Sequence, residues 1–119
     1  MLKREDAVRL RHMLEAAQKT QQFIKGRSRA EIEQNETLAL ALVRLLEIVG
    51  EAARSVSLET RQHYSEIPWK EISGTRDRLI HGYFDVDWNI LWDILTADLP
   101  LLIAKLERLV PPEPRGSTP

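Results

Sequence analysis

Apolar residues along this chain recur at three- and four-residue intervals, and nowhere do they alternate like a strand. Over residues 5–24, Ala7, Leu10, Leu14, Ala17 and Ile24 form one amphipathic stripe. Gly26 closes that helix. Ser28 and Glu31 have the Ser-x-x-Glu spacing of a capping box, which predicts a short second helix. Asn35 then caps a third helix running to about Val56.

The third helix is apolar nearly all the way round, from Leu38 to Ala53. Arg44, Glu47, Glu51 and Arg54 interrupt it at 3-4-3 spacing and make one narrow polar stripe. They are expected to pair among themselves, Glu47 and Glu51 with Arg44 and Arg54. Lining a shared cleft is a lesser role for the two glutamates. A helix with so little polar surface is either the centre of a bundle or partly covered by a second copy. The symmetric dimer is the favoured reading. Gly50 marks either a close helix approach or a tolerated defect.

Residues 57–64 read as a short helix or turn. Pro68 suits a first helical position, and the helix it opens should run to about His81, with Gly82 as its stop. Asp85 or Asp87 can cap the last long helix, where Trp88, Leu91, Trp92, Leu95, Leu102, Leu106 and Leu109 keep helical spacing. Pro100 should kink or split it. The fold expected is all-α: a small up-and-down bundle of four to five main helices, forming a symmetric homodimer. The domain spans residues 1–110, and 111–119 form a disordered Pro-rich tail.

Composition narrows the chemistry. The 119 residues suffice for one domain with a modest core. Net charge is −1, so no global field draws in nucleic acid, and any such contact needs a local patch. The absence of cysteine excludes disulfides and thiol chemistry. No apolar run is long enough for a bilayer, and the N-terminus lacks a signal-like core, so a cytoplasmic protein without membrane contact is expected. His12, His63 and His81 lie far apart. The residues three before them are Arg9, Thr60 and Arg78, so the Glu-x-x-His pairs of a carboxylate metal bundle are missing and no metal site is expected.

The most telling stretch is Arg76-Asp77-Arg78-Leu79-Ile80-His81-Gly82-Tyr83. Arginine clamps phosphate with a planar fork, and histidine carries a proton near neutral pH. On a helix Asp77 and His81, four apart, are neighbours, so Asp77 can fix the imidazole tautomer. Arg76 and His81 lie about 140° apart around the axis. A two-fold axis would bring a second pair into the same cleft, so the geometry favours a site shared between subunits. The matching chemistry is RNA cleavage without metal, with His81 as general acid or base and Arg76 stabilising charge on the phosphate. Arg78 would add a backbone contact. The bland alternative is a surface charge and a packed ring, with Tyr83 and Phe84 as loop anchors.

Three blocks resemble the HepT-like toxins of the HEPN superfamily. They are Leu45-Leu46-Glu47-Ile48-Val49-Gly50-Glu51-Ala52-Ala53, Ile67-Pro68-Trp69-Lys70-Glu71-Ile72-Ser73-Gly74, and the Arg76 block continued through Phe84-Asp85-Val86-Asp87. The last is similar to the family's Arg-polar-x3-His-x-Tyr pattern, with Asp77 where asparagine is frequent. The resemblance implies a helical dimer with a metal-independent ribonuclease site in its cleft and no cofactor of its own. In it Arg76 and His81 match the catalytic pair and Asp77 the supporting polar residue. It further implies a cognate MNT-type nucleotidyltransferase antitoxin that uses ATP with magnesium to attach AMP to the motif tyrosine, Tyr83. The competing expectation is a non-catalytic subunit that holds nucleotide or substrate for a nucleotidyltransferase.

Overall fold

The computed structural model describes residues 2–83 and 85–111. Helix α1 (Arg4–Ile24) and helix α3 (Glu36–Ser55) pack side by side and form the centre of the molecule. Leu10, Met13, Leu14 and Ala17 of α1 and Leu42, Leu46, Val49 and Ala53 of α3 are buried in one core. Between them α2 (Arg29–Glu33) carries the expected capping box: Glu31 N–H donates to Ser28 Oγ, and Ser28 N–H to the Glu31 carboxylate. Asn35 caps α3 by accepting from Leu38 N–H at 3.0 Å. Gly26, at φ +74°, makes the left-handed turn out of α1.

One chain covers most of α3. Leu38, Ala39, Leu42, Val43, Leu46, Val49 and Ala53 are buried, Leu45, Ile48 and Ala52 are half-buried, and Leu40 is exposed. The uncovered apolar strip is therefore narrower than the sequence pattern suggests. Its relief comes from α1 on one side and from two short helices on the other.

Helix α4 (Leu58–His63) is capped by Ser57 and tied back to the start of α1. Asp6, nearly sealed from solvent, accepts from Ser57 N–H at 2.9 Å, from Ser57 Oγ at 2.6 Å and from Thr60 Oγ1 at 2.6 Å. Burial opposes its charge, but these donors prevail and hold its pKa below the usual carboxylate value.

The expected single helix over 68–81 is two five-residue helices, α5 (Trp69–Ser73) and α6 (Thr75–Leu79), broken at Gly74. Pro68 stands one position earlier than expected, as the cap before Trp69. The chain leaves helix after Leu79 and forms a small hairpin, β1 (Ile80–His81) against β2 (Asp85–Val86). Ile80 faces Val86, His81 faces Asp85, and Asp87 N–H closes the base on the Leu79 carbonyl at 2.8 Å. These are the only strands among the described residues, and the all-helical expectation is corrected to that extent.

Asp87 caps α7 (Trp88–Asp93), which continues through a wider π turn (Ile94–Asp98) into α8 (Leu99–Leu109). Leu91, Leu95 and Leu99 are spaced four apart twice over. On a regular helix each such step drifts by about 40°. The π turn absorbs that drift and keeps all three in the core. Pro100 follows directly on this widened turn, in the first turn of α8. The expected split is absent: the helix runs on through Pro100, and the turn before it is widened instead. Trp69 is buried, with its indole N–H donating to the Tyr64 carbonyl at 3.0 Å, and Trp88 and Trp92 pack partly buried against the core. The Pro-rich tail expected from the sequence lies almost wholly outside the described residues. Among the described residues no helix is long and apolar enough to cross a membrane.

Candidate functional site

Helix α6 is too short to hold itself in place, so its neighbours hold it. Thr75 Oγ1 and Arg78 Nη2 both donate to the Glu71 carbonyl, at 3.1 and 3.2 Å. From α3, Arg54 Nη1 donates to the Ser73 carbonyl at 2.7 Å. Leu79 plugs the end of α6 into the core. These ties fix the backbone from which Arg76 projects.

Arg76 reaches the polar stripe of α3, where its Nε lies 2.8 Å from Glu47 Oε2. The other carboxylate oxygen of Glu47 lies 3.8 Å from Arg44 Nη1, and Arg44 also meets Glu51 at 3.2 Å. The expected pairing within the stripe is half right. Arg44 serves both glutamates, while Arg54 is spent on a carbonyl and Glu47 turns to Arg76.

His81 departs from its expected place. The ladder carries it off the helix, and the Asp77–His81 neighbour relation is lost. Asp77 is exposed, and among the described residues no hydrogen bond or ion pair joins it to His81. Instead His81 Nε2 lies 3.5 Å from Asp87 Oδ2. The other oxygen of Asp87 accepts from Ile90 N–H at 3.1 Å. That donation at the head of α7 is the main cause of a pKa below the usual carboxylate value, with partial burial opposing it and His81 adding to it. Asp87 is therefore a fixed negative charge at neutral pH, facing one ring nitrogen of His81. Asp87, not Asp77, is the carboxylate beside His81. Gly82 was the one local mark of this turn in the sequence, and strands of two residues are too short to show alternation.

Within one chain Arg76 and His81 thus engage different carboxylates on different elements. Arg78 lies on the opposite flank of α6, where it lines a cavity of about 120 Å³ with Leu46, Ile72, Ile94 and Lys105. Gly82, at φ +71°, turns the hairpin and presents Tyr83, which is 92% exposed and anchors nothing in the core. Phe84 lies outside the described residues.

The sequence profile of the family described as Ribonuclease HepT-like matches residues 13–109. The chain belongs to the HepT-like ribonuclease family. Three relatives carry provisional ribonuclease names. One from Caldanaerobacter subterraneus subsp. tengcongensis is 36% identical, covering 87% of this chain and 93% of its own. A second, from Methanocaldococcus jannaschii, is also 36% identical, covering 90% of this chain and 98% of its own. A third, from Thermococcus cleftensis and named a ribonuclease HepT, is 44% identical over 58% of this chain and 63% of its own. No solved structure matches the chain. Arg76, His81, Asp87 and Tyr83 all fall inside the stretch that the HepT-like profile matches.

Proposed function

We propose that this HepT-like chain is a metal-independent ribonuclease toxin, working as a symmetric homodimer and silenced by AMP on Tyr83. What carries the reading is a pair of carboxylate-backed side chains, Arg76 on Glu47 and His81 on Asp87, beside a turn that exposes Tyr83. Arginine and histidine supported in this way are the minimal equipment for phosphodiester cleavage.

In the proposed reaction the ribose 2′-hydroxyl attacks the adjacent phosphorus. His81 accepts its proton or, in protonated form, delivers one to the departing 5′-oxygen. Arg76 neutralises the charge that builds on the phosphoryl oxygens. The products are a 2′,3′-cyclic phosphate and a free 5′-hydroxyl. Asp87 fixes the ring orientation of His81, as carboxylates do for catalytic imidazoles. Arg78, which keeps free N–H groups beyond its bond to Glu71, contacts the RNA backbone. A second copy, seated on the uncovered strip of α3, brings a second Arg76–His81 set to the cleft.

Silencing follows from charge. The Tyr83 hydroxyl attacks the α-phosphorus of ATP on an MNT-type nucleotidyltransferase, which supplies the magnesium, and pyrophosphate leaves. The AMP left on Tyr83 adds bulk and a negative phosphate beside the cleft and repels RNA.

The test is cleavage of end-labelled RNA by purified protein in EDTA. The expected result is cleavage leaving a cyclic phosphate, no cleavage of DNA, and losses of about 10²–10⁴-fold for His81→Ala and Arg76→Ala. Wild-type cleavage by either variant, or full loss of activity in EDTA, overturns the proposal. Nucleotide binding with no turnover would point instead to a subunit that holds nucleotide for a nucleotidyltransferase. Co-expression with an MNT-type nucleotidyltransferase should add the mass of AMP to the wild type and not to Tyr83→Phe.

A further inference from the structure

We infer that Glu47 is a positioning residue, aiming the Arg76 guanidinium from the third helix. The inference rests on the proposed role of Arg76 as the phosphate clamp. Four observations carry it. Arg76 stands on a five-residue helix and its side chain is 68% exposed, so nothing in its own element fixes its direction. Glu47 stands in the middle of a 20-residue helix and its side chain is only 19% exposed. Their contact, 2.8 Å, is made at the Nε of Arg76. The second oxygen of the Glu47 carboxylate lies 3.8 Å from Arg44 Nη1.

The atom at which contact is made matters. A guanidinium carries five N–H groups, and Nε occupies one side of the fork. An acid bound there leaves the outer edge, with Nη1 and Nη2, free for two parallel bonds to a phosphate. Glu47 therefore need not be displaced by RNA. A free arginine on a short exposed helix must lose its rotamer freedom when it binds. Arg76 has lost part of that freedom already, through its contact with Glu47. Preorganised charge of this kind acts on the transition state more than on binding. The carboxylate's own charge disfavours RNA in the ground state. Glu47 should thus raise kcat while leaving KM unchanged or slightly higher.

The experiment is steady-state cleavage of one RNA by the full chain carrying Glu47→Ala, Glu47→Gln, Arg76→Lys and each Glu47 variant combined with Arg76→Lys. Glu47→Ala should lower kcat about tenfold with KM equal to or below that of the wild type. Glu47→Gln, which keeps an acceptor oxygen in the same place, should recover part of the loss and guards against misfolding of the alanine variant. In the Arg76→Lys background, where the fork is gone, neither change at position 47 should matter by more than about twofold. Two results overturn the inference alone: wild-type kcat in both Glu47 variants, or the same loss from Glu47→Ala with and without Arg76→Lys. Wild-type cleavage by Arg76→Ala overturns the underlying role of Arg76 and the inference with it.

Discussion

Gly50 lies with its Cα against the backbone carbonyl of Ile72, so that a Cβ at position 50 would stand 2.9 Å from that oxygen. Two helices meet there with no side chain between them. Gly50→Ala would gain about 1 kcal/mol of helix propensity. It would also force α5 off α3, and backbone, unlike a flexible side chain, cannot step aside. Overpacking of this kind costs about 1–3 kcal/mol, so a lower melting temperature is expected. Because α6 follows α5 directly, the Arg76–Glu47 contact should loosen and cleavage should fall with it. A variant as stable as the wild type would show that the contact is slack.

Asp87 does two jobs that two substitutions separate. Asparagine keeps an acceptor oxygen and is a strong N-cap, so Asp87→Asn should melt near the wild type. It removes the charge that faces His81, and cleavage should drop about tenfold. Asp87→Ala should lose both the cap and the charge, with a lower melting temperature as well. Equal cleavage by Asp87→Asn and wild type would free His81 from any dependence on this carboxylate.

Asp6 makes stability depend on acid. Its folded pKa lies below the ordinary value, so the ionised carboxylate stabilises the fold at neutral pH. That contribution is complete above the unfolded pKa of about 4 and disappears as pH falls through the folded value. Urea titrations should therefore find Asp6→Ala weaker by about 1–3 kcal/mol at pH 7, because Ser57 and Thr60 lose their acceptor. The gap should narrow steadily below pH ~4. A gap independent of pH would assign the effect to packing.

Gly82 is the hinge of the hairpin, and its positive φ excludes most side chains without any clash. Gly82→Asn should be tolerated better than Gly82→Val, since asparagine enters the left-handed region and β-branched residues resist it. The valine variant should accept AMP on Tyr83 more slowly than the wild type in a reconstituted transfer assay. Equal rates would mean that the tyrosine needs no particular turn.

The helix starts were legible because their causes are local. Ser28 with Glu31, Asn35 and Asp87, the last as one of two candidates, each cap within three residues of their own position, and local spacing marks them, while the Ser57 cap went unread. Leu10, Leu14, Ala17, Leu42, Leu46 and Leu106 were legible as core for the same reason. The stretch over 68–81 was not, because its helical pattern runs across Gly74 and the ladder beyond Leu79 is only two residues long. Alternation needs more than two residues to register. The candidate site suffered most from this. Arg76 and His81 were identified by chemistry, yet the partner assigned to His81 changed from Asp77 to Asp87 once the helix ended two residues early. Glu47 was read as part of a stripe, since sequence spacing shows neighbours on one helix and not those across to another.

The π turn between Ile94 and Asp98 sets a rule about length. A π turn holds one residue more than the α turn it replaces. Deleting one residue there should therefore restore an ordinary α-helical pitch while Leu102 and Leu106 still face the core. A second deletion, with no widened turn left to absorb it, would rotate everything downstream by about 100°. The least regular turn of the last helix is thus where the polypeptide can lose one residue, and only one, without turning its end away from α1.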